Sequence, residues 1–207
     1  MKKNSLYTYI ASSLIILVPV PGRLSYGIIL ILALNALTAL GILFRHLTKK
    51  LSVDEYMPAL MTVFLIGLCI ILKQLLILYS PLTALTLSFV IYAPVLSSLM
   101  ISSLYENTDM SLSRDLSYNM NKTAYFSIFA FIIFLFRDIF GYGTISFPVP
   151  SGIHEIALFK NLPSAFMGSF WASVPGALVI LAVAFVVNYN AIKKIKIAEA
   201  VFKEEEN

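Results

Sequence analysis

SFVIYAPVLSS, residues 88–98, carries no charge and has a proline at its centre. It lies inside a longer run, Leu82 to Leu104, that is uncharged throughout. About 20 apolar residues cross the hydrocarbon core of a bilayer as a helix, so this run is long enough to span. Pro94 is the difficulty. Proline removes a backbone hydrogen bond and clashes with the preceding turn. In hydrocarbon no water replaces that bond, and broken backbone persists only against protein or a wet cavity. Two readings are open. Pro94 makes a simple kink, covered by neighbouring helices and helped by Ser88, Ser97 and Ser98. Alternatively it separates two half-helices whose ends meet near the membrane midplane. The first apolar run poses the same difficulty, since it stops at LVPVPGR, residues 17–23.

The remaining chain points to the same solvent. Its 207 residues are 59% hydrophobic and only 13% charged, where a soluble domain carries roughly 25% charge. Uncharged runs recur at 4–22, 24–44, 56–72, 80–105, 123–136 and 161–192. The third and fifth reach spanning length only with 73–79 and 137–142 included. Six membrane helices are expected: Leu6–Val18, Ser25–Phe44, Met57–Ser80, Leu82–Leu104, Thr123–Tyr142 and Ala165–Asn190. They form one membrane domain, 1–192, followed by a charged tail, 193–207. No small-x-small cleavage site follows the first run, so it reads as a span and not a leader. The polar stretch 105–122 reads as a loop, and the prolines of 144–164 favour an irregular or re-entrant course.

Charge sets the orientation. Lys2, Lys3, Arg45, Lys49, Lys50, Arg114, Lys122, Lys193, Lys194, Lys196 and Lys203 fall on one side. Arg23 and Lys160 fall on the other, with Arg137 and Lys73 near helix ends. Excess Lys and Arg marks the cytoplasm, so both termini are expected inside. The net charge of +4 follows from this bias, and no nucleic-acid partner is implied. The halves 1–80 and 81–192 each begin with a proline-interrupted span. An odd number of helices per half makes the second half enter from the opposite face, an inverted repeat. The fold class expected is therefore an all-α membrane protein: six helices in two inverted three-helix repeats, with half-helices in spans one and four.

Several later segments resemble one family. FRDIFGYGT (136–144) resembles the Arg-Glu-apolar-apolar-Gly-x-Gly-Thr motif of the Rnf/Nqr membrane subunits, placing Gly141, Gly143 and Thr144 on its landmarks. SVPGALVILA (173–182) resembles the Pro-Gly-Ala that opens their last helix, at Pro175 and Gly176. Asn35 in ALNAL falls where these subunits carry an asparagine, and Asp115 where they carry an aspartate before helix five. The resemblance implies an inner-membrane subunit of a prokaryotic, electron-transport-coupled cation translocase. It implies half-helices that each give one cysteine to a [2Fe–2S] cluster shared between two six-helix subunits. Here those positions fall at about Ser12 or Ser13 and at Pro94. Proline has no ligand atom, and iron–sulfur clusters require thiolate or occasionally imidazole. No cofactor or metal is therefore expected in this chain. The partners implied are a second six-helix subunit, a paralogue or a second copy, and other redox subunits.

The other polar residues have modest expectations. Arg137 and Asp138 sit near the outer end of helix five, either as an ion-path or structural pair or, preferred, as an interfacial cap with Arg137 snorkelling outward. Lys73 is expected to snorkel likewise. Asn35 reads as helix–helix glue, Cys69 as a packing residue, and His46 and His154 are too far apart to share a metal. Ser97 joins Ser12, Ser13, Pro94 and Asn35 as a midplane candidate. No carboxylate occupies a helix centre, which argues against a proton pump, and no nucleotide loop or nucleophile motif appears. A noncatalytic subunit of a redox-driven translocase is the leading expectation. A six-helix vitamin-capture transporter subunit or a membrane scaffold is the alternative.

Overall fold

A computed structural model describes residues 3–50, 56–97, 100, 111–150, 152–158 and 168–205. Three of its helices are long and apolar enough to cross a membrane: α2 (Leu24–Lys50), α3 (Met57–Tyr79) and the 31-residue α6 (Leu112–Tyr142). The spans expected first, fourth and sixth are short or interrupted. Helix α1 (Lys3–Leu17) ends before Pro19. The fourth is divided into α4 (Pro81–Thr86), a single 3-10 turn at Val90–Tyr92, and α5 (Ala93–Leu96), after which Ser97 is extended. The sixth is divided at Ser173 into α7 (Gly168–Ala172) and the 32-residue α8 (Val174–Glu205). The end of the fourth run, 101–104, the loop 105–110 and residues 165–167 lie outside the described residues.

Prolines explain where these pieces begin. Pro58, Pro81, Pro94 and Pro175 all occupy the first or second position of a helix. There the missing N–H would have had no intrahelical partner, and the fixed φ suits the first turn. Pro94 is therefore the start of a new helical piece and not a bend within an old one. Ser97 closes that piece, its Oγ donating to Pro94 O at 2.7 Å and accepting from Met100 N at 3.3 Å.

Two expectations are corrected by the backbone. Helix α6 begins eleven residues before Thr123, taking in residues 112–122 of the polar stretch assigned to a loop. Asp115, Asn119, Thr123 and Ser127 follow at four-residue intervals, which places them on one helix face. The segment after α6 forms an antiparallel hairpin, β1 (Thr144–Val149) with β2 (Gly152–Ala157), so the chain is not all-α. Gly143 terminates α6 in the left-handed conformation (φ 68°), with its N–H on Ile139 O at 2.9 Å. That is the helix-ending role in which glycine avoids the Cβ clash. β-Branched Thr144, Ile145, Ile153 and Ile156 suit the pleat, and Pro148 is tolerated because a two-stranded sheet has free edges.

Helices α2 and α6 form the antiparallel centre of the bundle, joined at Leu24–Asp138, Asn35–Ser127 and Arg45–Asp115. The core packs around them, with Leu30, Leu34, Leu37, Phe126 and Phe134 buried. Helix α3 lies against α2, with Phe64 stacked on Phe44 and Thr48 against Met57, and it buries Met61, Leu65 and Cys69. The α7–α8 junction passes so closely that a Cβ at Gly176 would collide with Phe170 O, whereas one at Gly67 meets nothing within 4 Å. Gly176→Ala should lower thermal stability in detergent by about 1–3 kcal/mol, the usual range for overpacking. Gly67→Ala should leave stability unchanged or raise it by up to about 1 kcal/mol, the helix-propensity difference.

Candidate functional site

Helix ends leave unpaired carbonyls and amides, and in an apolar bundle each must find a partner. Arg137 and Asp138 serve both kinds. Adjacent helical residues project about 100° apart, at 3.6 residues per turn, so the two side chains reach different neighbours. The Arg137 guanidinium donates to Leu17 O at the end of α1 (2.8 Å) and to Ala172 O (2.9 Å), Ser173 O (3.4 Å) and Trp171 O (3.4 Å) at the α7–α8 break. A cation is thus set on the negative ends of two helices, α1 and α7. The residue is fully buried (0% exposed), so the expected outward snorkelling is overturned: carbonyls within the bundle hold it.

Asp138 takes the opposite charge to the opposite groups. Its Oδ2 accepts from the amides of Leu24 (3.1 Å) and Ser146 (2.7 Å) and from Ser146 Oγ (2.6 Å), while Oδ1 accepts from Thr144 Oγ1 (3.0 Å). The Ser25 amide donates to Ser146 Oγ at 3.1 Å. The carboxylate therefore caps the first turn of α2 and pins β1 to it. Arg23 pairs with Glu155 on β2 and lies over the Tyr142 ring. Gly141 gives way to Ala172, which a Cβ there would meet at 2.9 Å. Pro175 and Gly176 open α8 beside the same junction, so the residues of both sequence motifs converge here.

A second cluster closes the other end of the α2–α6 pair. Fully buried Asp115 pairs with Arg45 and accepts from Asn119 Nδ2 at 2.8 Å, while His46 Nε2 lies at 3.0 Å. Sequence reasoning placed Asp115 as a landmark but missed this cluster. Its signal was the four-residue polar spacing from Asp115 to Ser127. Leu24 and Arg45 lie twenty-one residues apart on α2, about 32 Å at 1.5 Å per residue. The two charged clusters are thus separated by about the thickness of a hydrocarbon core, roughly 30 Å.

Midway between them, Asn35 Nδ2 donates to Ser127 Oγ at 2.8 Å, joining α2 to α6 as glue. Ser12, Ser13 and Ser97 are buried, with the Ser13 hydroxyl returned to Tyr9 O at 2.7 Å. Serines 12 and 13 stand on unbroken α1, short of its end at Leu17, while the interruption in the fourth span lies beside α3, where Cys69 Sγ approaches Ile91 O at 3.7 Å. The residues do not fit the iron–sulfur cluster that the resemblance implies. Serine hydroxyls and Pro94 supply no thiolate, and the single cysteine is engaged with the backbone of the break. Among the described residues no group of three or more metal-binding side chains occurs. No protein-family model matches the chain, and no curated protein matches it.

Replacing Arg137 by Met leaves the carbonyls of Leu17, Trp171 and Ala172 without their donor, while Ser173 O keeps the Ala177 amide. At 1–3 kcal/mol for each unsatisfied buried group, the chemical-unfolding free energy in detergent should fall by at least about 3 kcal/mol. Asp138→Asn keeps an acceptor oxygen and should cost about 1 kcal/mol, whereas Asp138→Ala, which orphans two amides, should cost about 3 kcal/mol.

Proposed function

We propose that the chain is a noncatalytic, integral-membrane subunit of an Rnf/Nqr-like complex that couples electron transport to cation translocation, without a cluster of its own. The observation that carries this reading is the convergence of Arg137, Asp138, Gly141, Gly143, Thr144, Pro175 and Gly176 on one junction. These residues, on which the family resemblance rests, act together to terminate broken helices inside the bundle. Interrupted spans are the architecture in which transport proteins place polar backbone at membrane depth. Asn35 and Asp115 add further support, since both tie α2 to α6.

In this reading the chain crosses a prokaryotic inner membrane six times in two inverted halves, with both termini in the cytoplasm. It pairs with a second six-helix subunit. Its own residues give rigidity and a shaped interface, and electrons travel on neighbouring subunits. Purification from native membranes should bring down flavin- or ferredoxin-type subunits with the chain. The isolated chain should contain no iron and give no low-temperature EPR signal of a reduced cluster. Purification without any redox partner sinks the complex, and a cluster ligated by this chain sinks the loss of the site.

A further inference from the structure

Lys73 is a cation of the membrane-spanning segments that neither charged cluster uses. It lies four residues after Cys69 on the bundle-facing stripe Met61, Leu65, Cys69 of α3. Met57, at the start of α3, touches Thr48, three residues past Arg45. From there α3 runs sixteen residues to Lys73, about 24 Å. Measured from the Asp115 cluster, Lys73 is about 20 Å along the roughly 32 Å that separates the two charged clusters. Helical side chains lean toward the helix N-terminus, which for α3 is away from the nearer surface. The ammonium is directed to the break in the fourth span, 6.0 Å from the Tyr92 ring centroid. Among the described residues no carboxylate pairs with it.

The same face is apolar and open: around the 3-10 turn Leu85 and Phe89 are 75% and 79% exposed, while the turn's amides are bonded within the segment, Leu87 N to Thr83 O, Ile91 N to Leu87 O and Tyr92 N to Phe89 O. Acyl chains offer the ammonium no negative charge. A second copy of this chain offers no suitable acid either. Asp115 and Asp138 are held at the two clusters and Glu155 by Arg23. Asp54, Glu55, Glu106 and Asp109 fall in sequence outside the apolar runs, and Glu199, Glu204, Glu205 and Glu206 fall in the charged stretch 193–207.

We propose that the face formed by α3 and the broken fourth span docks a different membrane protein, which presents an Asp or Glu from an apolar span to Lys73. This deepens the partner reading above, and it stands even if that partner proves to have no redox role.

Incorporating p-benzoylphenylalanine at Phe89 and irradiating native membranes tests it, with the adduct identified by mass spectrometry. The expected adduct is one membrane protein, other than this chain, with a carboxylate inside an apolar run. Lys73→Met should reduce that adduct by at least about tenfold, the scale for removing one member of a buried charge pair. The variant's elution profile in detergent should be unchanged, because Met fills a similar volume without a charge. Lys73→Arg should retain the adduct. Lys73→Glu should lose it and regain it when the partner's carboxylate is changed to Lys. Adducts with lipid alone, adducts with a second copy, or full yield from Lys73→Met would each overturn the proposal.

Discussion

An unpaired peptide group has nowhere to go in hydrocarbon. A chain that interrupts its helices there must supply each loose end from within, and in this protein two neighbouring residues of α6 carry most of that duty. Arg137 collects carbonyls from α1 and from the α7–α8 break, and Asp138 collects amides from α2 and β1. The charges cancel as a pair. Each also sits on the helix ends whose dipole it complements. The two do not form a simple ion pair, so the usual desolvation cost of burying opposite charges is offset here by many charge-assisted hydrogen bonds.

The rest of the bundle is arranged around this junction and its counterpart at Asp115. Between them α2 and α6 run antiparallel, with hydroxyls that mostly return their protons to the carbonyl one turn back, as Thr38, Thr123 and Ser127 do. Such back-bonding lets polar side chains sit in an apolar interior without a partner on another helix. Asn35 is different, because its amide crosses to Ser127. The seam is therefore self-satisfied along most of its length and cross-linked at its middle and its two ends.

Much of this was legible in the residues. Long uncharged runs disclosed the membrane setting; α3 matches its expected bounds within one residue, whereas α2 continues as helix six residues past Phe44, through part of the stretch 46–56 expected to turn. Asn35 was readable as glue because an amide in an apolar run has few other uses. What escaped had a common cause: side-chain direction and helix register. Arg137 looked like a surface anchor because its position along α6 was near an end, while the carbonyls that hold it come from residues 17 and 171–173. The start of α6 was hidden by its polar composition, although the four-residue spacing from Asp115 signalled a helix. The hairpin was obscured by Pro148, compatible with a strand only where an edge is free, and by Pro150, which lies in the turn after β1. Pro94 was readable as an interruption, but whether it ended or began a helix depended on the first-turn rule.

The Arg137–Asp138 junction has a consequence for biogenesis. The donors to Asp138 lie at residues 24, 144 and 146, and the carbonyls bound by Arg137 lie at 17 and 171–173. Chains emerge from the ribosome N-terminus first, so the end of α1 and the first turn of α2 stay unsealed until residues 137–173 have followed. Synthesis of the first helices and completion of the bundle are thereby separated in time, and the closing hydrogen bonds form only when α7 arrives.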